Sequence, residues 1–256
     1  MYRYIFFIGL AISFLSCQSS NGNHAASSQE STQDSISITP IYHASFVLGM
    51  NKQTIYVDPI KSPDLYKDLS SPDLILITHD HGDHLSIKTL KALLSPNTLI
   101  LAPESVNKKL PEQLKEQTTV MNNGDIKNVK DLKIKAMPMY NLRPEAKKFH
   151  PKGKGNGYLI TFKDKRIYIS GDTEDIPAMR HLKHIDIAFV CMNLPYTMSV
   201  NQAIQAVLAF HPKTVYPYHY KGTDGYSDVQ KFKETVEQKN PNIQVKLLNW
   251  YPNRSK

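Results

Sequence analysis

The chain has 256 residues, 41% hydrophobic and 21% charged, values typical of a soluble globular protein. The length suits one large domain or two small ones, and the composition excludes a disordered, collagen-like or multi-span membrane protein as an overall description. Two cysteines exclude a disulfide scaffold and a four-cysteine zinc site, and the formal net charge is +8.

Residues 1–16 read as a secretory signal: Arg3 precedes the short apolar run YIFFIGLAISFL, Tyr4 to Leu15. The run is short for a membrane-spanning helix. It ends in Phe14-Leu15-Ser16-Cys17, which resembles a bacterial lipobox. That resemblance implies cleavage before Cys17, lipidation of its thiol and a lipid anchor in the bacterial cell envelope, periplasmic or surface-facing. Cys191 would then have no disulfide partner. Residues 17–35 hold no apolar side chain larger than alanine after Cys17 and read as a flexible tether. Arg3 is the one basic residue before Ile36, and Glu30 and Asp34 are the acidic ones, so the positive charge belongs to the domain at 36–256. Such a charge suits acidic substrates, nucleic acid or anionic lipid, or is a solvated lysine-rich surface.

The domain alternates strands and helices. Strands are expected at Ile36–Ile41, Ser45–Leu48 and Thr54–Val57, and Leu74–Ile77 reads as a strand buried on both faces. Ser86–Leu94 has helical spacing and stops before Pro96. Further strands are expected at Thr98–Leu101, Asp131–Met137, Tyr158–Phe162, Arg166–Ser170, Ile185–Val190, Thr214–Tyr218 and Ile243–Leu248. Helices are expected at Ile176–Leu182, at Val229–Gln238, and after Ser199 with Ala203, Val207 and Phe210 on one face. The pattern is α/β, with no visible linker.

The strongest chemical signal is Thr78-His79-Asp80-His81-Gly82-Asp83-His84, directly after the buried strand. In extended chain, residues i and i+2 point the same way, so His79 and His81 aim at one point. After the turn at Gly82, Asp83 and His84 present a carboxylate and an imidazole to a second point nearby. Such donors suit Zn2+, with Mn2+ or Fe2+ as alternatives.

His79-x-His81-x-Asp83-His84 resembles the HxHxDH signature of the metallo-β-lactamase fold. The resemblance implies a four-layer αββα sandwich over the whole domain, with metal at one edge between two sheets. It also implies a bridging aspartate after a later strand, which Ile169-Ser170-Gly171-Asp172 supplies, and a last histidine, which Tyr218-His219 supplies. One ion would then be held by Asp83, His84, Asp172 and His219, the other by His79, His81 and Asp172. The family usually adds one more histidine; here the strand ending at Met139 runs into Tyr140-Asn141. Three readings stay open: His150 folds back as a ligand, Asn141 is a weak ligand, or one site binds poorly.

Asp58, after Ile55-Tyr56-Val57, resembles the carboxylate that orients a metal-bound histidine. His43 resembles a histidine near the site mouth. The loop holding Arg143, Lys147, Lys148, Lys152 and Lys154 against Glu145 is a candidate cationic rim for an anionic substrate. Tyr196-Thr197-Met198 either lines the pocket or packs. His24, His181, His184 and His211 read as surface residues, and Cys191 as a buried apolar one.

The implied activity is metal-dependent hydrolysis. Metals lower the pKa of bound water from 15.7 to about 7, giving a hydroxide that attacks an ester, lactone or phosphodiester, with Asp83 orienting it or shuttling its proton. The chain looks most like the ascorbate-phosphate lactonase-like and N-acyl-phosphatidylethanolamine phospholipase D-like branch, on the Gly171–Pro177 run and Tyr218-His219-Tyr220. Its partners would be an anionic small molecule and, through the anchor, a membrane. A nuclease of the same fold is the enzymatic alternative, though no nucleic-acid module accompanies it. A non-catalytic, metal-stabilised binding lipoprotein is the other.

Overall fold

A computed structural model describes residues 36–252; the expected signal, Cys17, the tether and His24 lie outside the described residues. The chain starts with a meander of β1 (Ile36–Tyr42), β2 (Ser45–Met50) and β3 (Gln53–Val57). It continues through β4 (Leu74–Leu76), α1 (Ile87–Leu93), β5 (Leu99–Ala102), the one-turn helices α2 (Glu104–Asn107) and α3 (Glu112–Lys115), and β6 (Thr118–Val120). These strands form one sheet in chain order, antiparallel up to β3 and parallel from there.

The second sheet is built from β7 (Ile126–Val129), β8 (Leu132–Met139), β9 (Gly155–Phe162), β10 (Lys165–Ile169), β11 (Ile187–Cys191), β12 (Thr214–Tyr218) and, after the small β13 (Lys221–Gly222) and β14 (Gly225–Tyr226) hairpin, β15 (Gln244–Val245). Its order is β15-β12-β11-β10-β9-β8-β7. The helices of this half are α4 (Pro177–Arg180), α5 (Val200–Phe210) and α6 (Val229–Lys239).

Alternation along each strand separates two cores. Phe46, Leu48, Val57 and Leu76 join the core shared with the second sheet. Their neighbours Val47, Tyr56 and Ile75 join a separate core with Leu90, Val106 and Leu114 from the helical side. Between the sheets, Phe46 stacks on Phe189 with ring centroids 4.3 Å apart. The Tyr158 hydroxyl, on β9, donates across the interface to the carbonyl of Ile77 at 2.7 Å. On β10, Tyr168 meets Phe210 of α5 edge-on at 6.0 Å. Helices thus cover both outer faces, which is the four-layer αββα sandwich.

Local signals explain most element ends. Ser199 caps α5 in a reciprocal box with Gln202. Ser86 and Asp228 cap α1 and α6 through side-chain oxygens. The structure differs from the expected elements where side chains carry little pattern. β9 starts three residues early, because Gly155-Asn156-Gly157 continues the ladder with β8 without an apolar signal. Partly polar β6 and β7 sit at sheet edges, where alternation is weak. The expected helix at Ile176–Leu182 is the single turn of α4. The last expected strand pairs only over Gln244–Val245.

The stacked Phe46–Phe189 pair makes a direct test of the sandwich. Phe46→Ala should destabilise the fold by about 3–5 kcal/mol. Urea unfolding should show a lower midpoint at unchanged slope.

Candidate metal centre

Strand ends from both sheets meet at one edge of the sandwich. Asp58 follows β3, the histidine-rich turn follows β4, Asp172 follows β10 and His219 follows β12. His43 sits in the turn between β1 and β2, and His150 in the loop between β8 and β9. Several of these residues take left-handed backbone: His43 at φ 60°, Asp58 at 43°, Gly171 at 61° and His219 at 45°. Such conformations are uncommon for residues with a Cβ and gather at functional sites. Gly171 is required on two grounds. Its φ is positive, and a Cβ there would lie 2.7 Å from Met139 Sδ and 3.1 Å from the Asn156 carbonyl.

The fully buried Asp58 carboxylate organises the turn. One oxygen accepts the Thr78 backbone N–H at 2.7 Å; the other accepts the Thr78 hydroxyl and His84 Nδ1, each at 2.7 Å. Because the Thr78 hydroxyl donates to Asp58, its lone pair accepts from His79 Nδ1 at 3.0 Å. His79 and His84 therefore carry their protons on Nδ1 and turn Nε2 lone pairs inward, as metal ligands must.

Those lone pairs enter two adjoining clusters. In the first, His79 Nε2 is 3.1 Å from His81 Nδ1 and 4.0 Å from Asp172, and His150 Nε2 is 3.3 Å from Asp172. In the second, His84 Nε2 and His219 Nε2 are 2.9 Å apart. Asp172 is 3.5 Å from His84 and 3.3 Å from His219. Asp83 is 3.9 Å and 3.5 Å from the same two nitrogens. Asp172 lies between the clusters, with one oxygen lacking any hydrogen-bond partner. His150 Nε2 is likewise buried without a partner. Inward lone pairs, orphaned buried atoms and mixed nitrogen and carboxylate donors fit a divalent ion of the zinc type.

Burial opposes charge on His84, but Asp172 and Asp58 outweigh it and raise its pKa well above the usual imidazole range, so a bound ion would displace a proton there. Burial, then the neighbouring His84, holds the His79 pKa well below the usual imidazole range. Burial opposes charge on Asp172, but His219, His84 and His150 outweigh it and hold its carboxyl well below the usual range. Burial likewise opposes charge on Asp83, and His43 and His84 outweigh it.

The structure brings His150 into the first cluster and keeps Asn141 out of it. The Asn141 amide donates to the carbonyls of Ala146 and Tyr196 at 2.9 and 2.6 Å, and the Asn141 backbone N–H donates to the His150 carbonyl at 2.9 Å. These bonds fold residues 141–150 into a closed loop. His150 Nδ1 lies 3.1 Å from the Tyr196 carbonyl and 3.2 Å from the Asn141 amide nitrogen, and its Nε2 faces Asp172. Arg143 is spent on structure: it pairs with the fully buried Glu174 and donates to the carbonyls of Pro195 and Thr197. Lys154 pairs with Asp80 at 3.3 Å, as does Lys109 at 2.7 Å.

An open cavity of about 440 Å³ adjoins the second cluster, lined in part by Tyr42, His43, Lys61, Asp83, Tyr196 and Lys221. Its cations are thus Lys61 and Lys221 rather than the loop cations expected from sequence. Asp83 is the exposed member of its cluster, with 46% of its side chain accessible. His43 Nε2 lies 3.3 Å from Asp83, and burial, then the adjacent His219, lowers its pKa to about 4. Tyr196 lines the cavity, whereas Thr197 and Met198 are buried. His181, His184 and His211 are exposed. Cys191 is a buried free thiol whose pKa burial pushes up to about 12. Lys61, Lys221 and Tyr251 carried no signal in the sequence, because only the fold brings them to the site; Asn141, a candidate ligand in the sequence, instead closes the loop.

Comparison with known proteins agrees with this geometry. The Beta-lactamase superfamily domain family matches residues 37–219. A UPF0173 metal-dependent hydrolase of Pyrococcus abyssi is 30% identical over 210 residues, which cover 77% of this chain and 90% of that protein. Another, from Pyrobaculum islandicum, is 32% identical over 209 residues, with 76% and 89% covered. A solved structure of a candidate metal-dependent hydrolase from Parabacteroides distasonis matches with a TM-score of 0.76 and 41% identity, covering 84% of this chain and 94% of that one. A metallo hydrolase from Ignicoccus hospitalis shares the fold at a TM-score of 0.70 and 21% identity, with 83% and 94% covered. The chain belongs to the β-lactamase superfamily and is a metal-dependent hydrolase.

Proposed function

We propose that the chain hydrolyses an anionic small molecule (an ester, lactone or phosphodiester) at a two-ion centre, with zinc as the metal. The observation that carries this reading is the pair of adjoining donor clusters opening through Asp83 onto a cavity with two lysines. His79, His81 and His150 would hold one ion, and Asp83, His84 and His219 the other, with Asp172 between them. When bound, the ions supply Lewis-acid chemistry, acidifying water and polarising the scissile carbonyl or phosphoryl group.

The chain's own residues supply the rest. Asp58 and Thr78 fix the proton positions of His79 and His84. Buried walls around Asp172 and His219 exclude bulk water from the inner side. Asp83, exposed to the cavity, is placed to orient the attacking water and accept its proton on the carboxylate. Lys61 and Lys221 attract and orient the anionic group. Lys61 Nζ lies over the Tyr42 ring at 4.6 Å and Lys221 Nζ over the Tyr226 ring at 5.8 Å. The apolar leader ending in Cys17 supports a lipid anchor and a place in the bacterial cell envelope. Among the described residues no helix is long and apolar enough to cross a membrane.

Metal content tests the centre. Protein from Ile36 onward should carry two ions per chain, falling toward one in His150→Ala. A wild-type content of one, unchanged by that substitution, would remove His150 from the centre. Asp58→Asn keeps an acceptor for Thr78 but loses the charge facing His84; metal affinity should fall about 10- to 100-fold.

A panel of chromogenic esters, lactones and phosphodiesters tests the activity. Turnover should disappear on chelation and in Asp83→Ala, and return to the chelated wild type with added zinc. On an anionic substrate, Lys61→Ala and Lys221→Ala should each raise KM about threefold, less so at high salt. Activity that survives in Asp83→Ala would count against the mechanism.

A further inference from the structure

The third donor group at the centre, His43 with Asp83 and His219, has ligand atoms within 4.8 Å of one another. Its use turns on which nitrogen of His43 carries the proton. A lone pair on Nε2 would make His43 a further ligand, whereas a proton there would make it a donor.

We propose that Tyr251 fixes the proton of His43 on Nε2, so that His43 is a hydrogen-bond donor on the cavity wall and not a metal ligand. His43 Nδ1 lies 2.7 Å from the Tyr251 hydroxyl oxygen. That oxygen already accepts the backbone N–H of Lys221 at 3.1 Å. Tyr251 is buried, and a buried phenol proton needs an acceptor. His43 Nδ1, at 2.7 Å, is such an acceptor. An Nδ1 that accepts leaves the ring proton on Nε2, which faces the Asp83 carboxylate at 3.3 Å. The relay then runs from the Lys221 N–H through the Tyr251 O–H to His43, and from His43 Nε2–H to Asp83, with every donor matched to an acceptor.

The reverse arrangement fails at the tyrosine. With the proton on Nδ1, the Tyr251 hydroxyl would receive two donors and its own proton would lose this acceptor.

The backbone reinforces the placement. The His43 N–H donates to the Trp250 carbonyl at 3.1 Å, and the His43 carbonyl accepts the His219 N–H at 3.2 Å. The ring meets Tyr251 edge-on at 5.7 Å and lies 3.9 Å from the His219 ring. It has no freedom to turn its nitrogens over. Tyr251 is therefore a positioning residue acting through His43. His43 in turn aims the Asp83 carboxylate from the wall of the cavity. The last step rests on the role proposed above for Asp83; the assignment of the proton does not.

Long-range proton–nitrogen NMR correlation of the zinc-loaded full chain tests it, with the His43 signals identified by their absence in His43→Gln. The expected pattern is a bare Nδ1 and a protonated Nε2 in the wild type, relaxing to a mixture of tautomers in Tyr251→Phe. That substitution keeps the ring and its packing. Elemental analysis of His43→Gln should give an unchanged ion count. With bis(p-nitrophenyl) phosphate as the probe, Tyr251→Phe should lower kcat about threefold or more at unchanged KM. A protonated Nδ1, or loss of an ion in His43→Gln, would overturn the proposal. If the probe is not hydrolysed at all, the proposed substrate class loses support, while NMR and the ion count still decide the role of Tyr251.

Discussion

The site depends on the placement of protons that point away from it. A buried carboxylate at Asp58 takes the Nδ1 proton of His84 and, through the Thr78 hydroxyl, fixes that of His79. The Tyr196 carbonyl and the Asn141 amide hold the outer nitrogen of His150. Each outer hydrogen bond sets the state of the inner nitrogen, and imidazole nitrogens approach to 2.9 and 3.1 Å as a result. Without those partners, buried histidines this close would share protons among themselves and fill the space with hydrogen bonds of their own. The outer bonds thus do as much to define the centre as the inward-facing atoms.

The sandwich exists, from this viewpoint, to bring strand ends together. Parallel strands deliver their carboxyl ends to one edge, and each sheet contributes part of the donor set. The chain must then leave each strand sharply, and left-handed residues at Asp58, Gly171 and His219 make those exits. At Asp58 and His219, which carry a Cβ, such strain costs about 1–3 kcal/mol each and persists only where the surroundings hold it. Here they do: Thr78 and Ser45 bind Asp58, Met139 and Asn156 crowd Gly171, and His43 accepts the backbone N–H of His219.

How much of this was legible in sequence follows from distance along the chain. The turn from His79 to His84 was legible because its spacing alone sets directions. Asp172 and His219 were legible because each follows a strong apolar strand, given the resemblance. His150 was left open because its approach depends on Asn141 closing the intervening loop, and an asparagine after a strand announces nothing of the kind. For a related reason the loop cations could be read only as a group, although Lys154 does line a small pocket with His79, His81 and His150. Composition counts charges but cannot show that Arg143 is tied to buried Glu174 or Lys154 to Asp80. Lys61 and Lys221 look like any surface lysines until the fold puts them on one cavity.

The bond from the His43 N–H to the Trp250 carbonyl joins the two ends of the folded domain at the place where the chemistry is done. During synthesis, His43 emerges long before its clamp at Trp250. A nascent or prematurely ended chain can pair β1 with β2 and still lack the wall behind His43. The wall behind His43 is therefore complete only once Trp250 is in place.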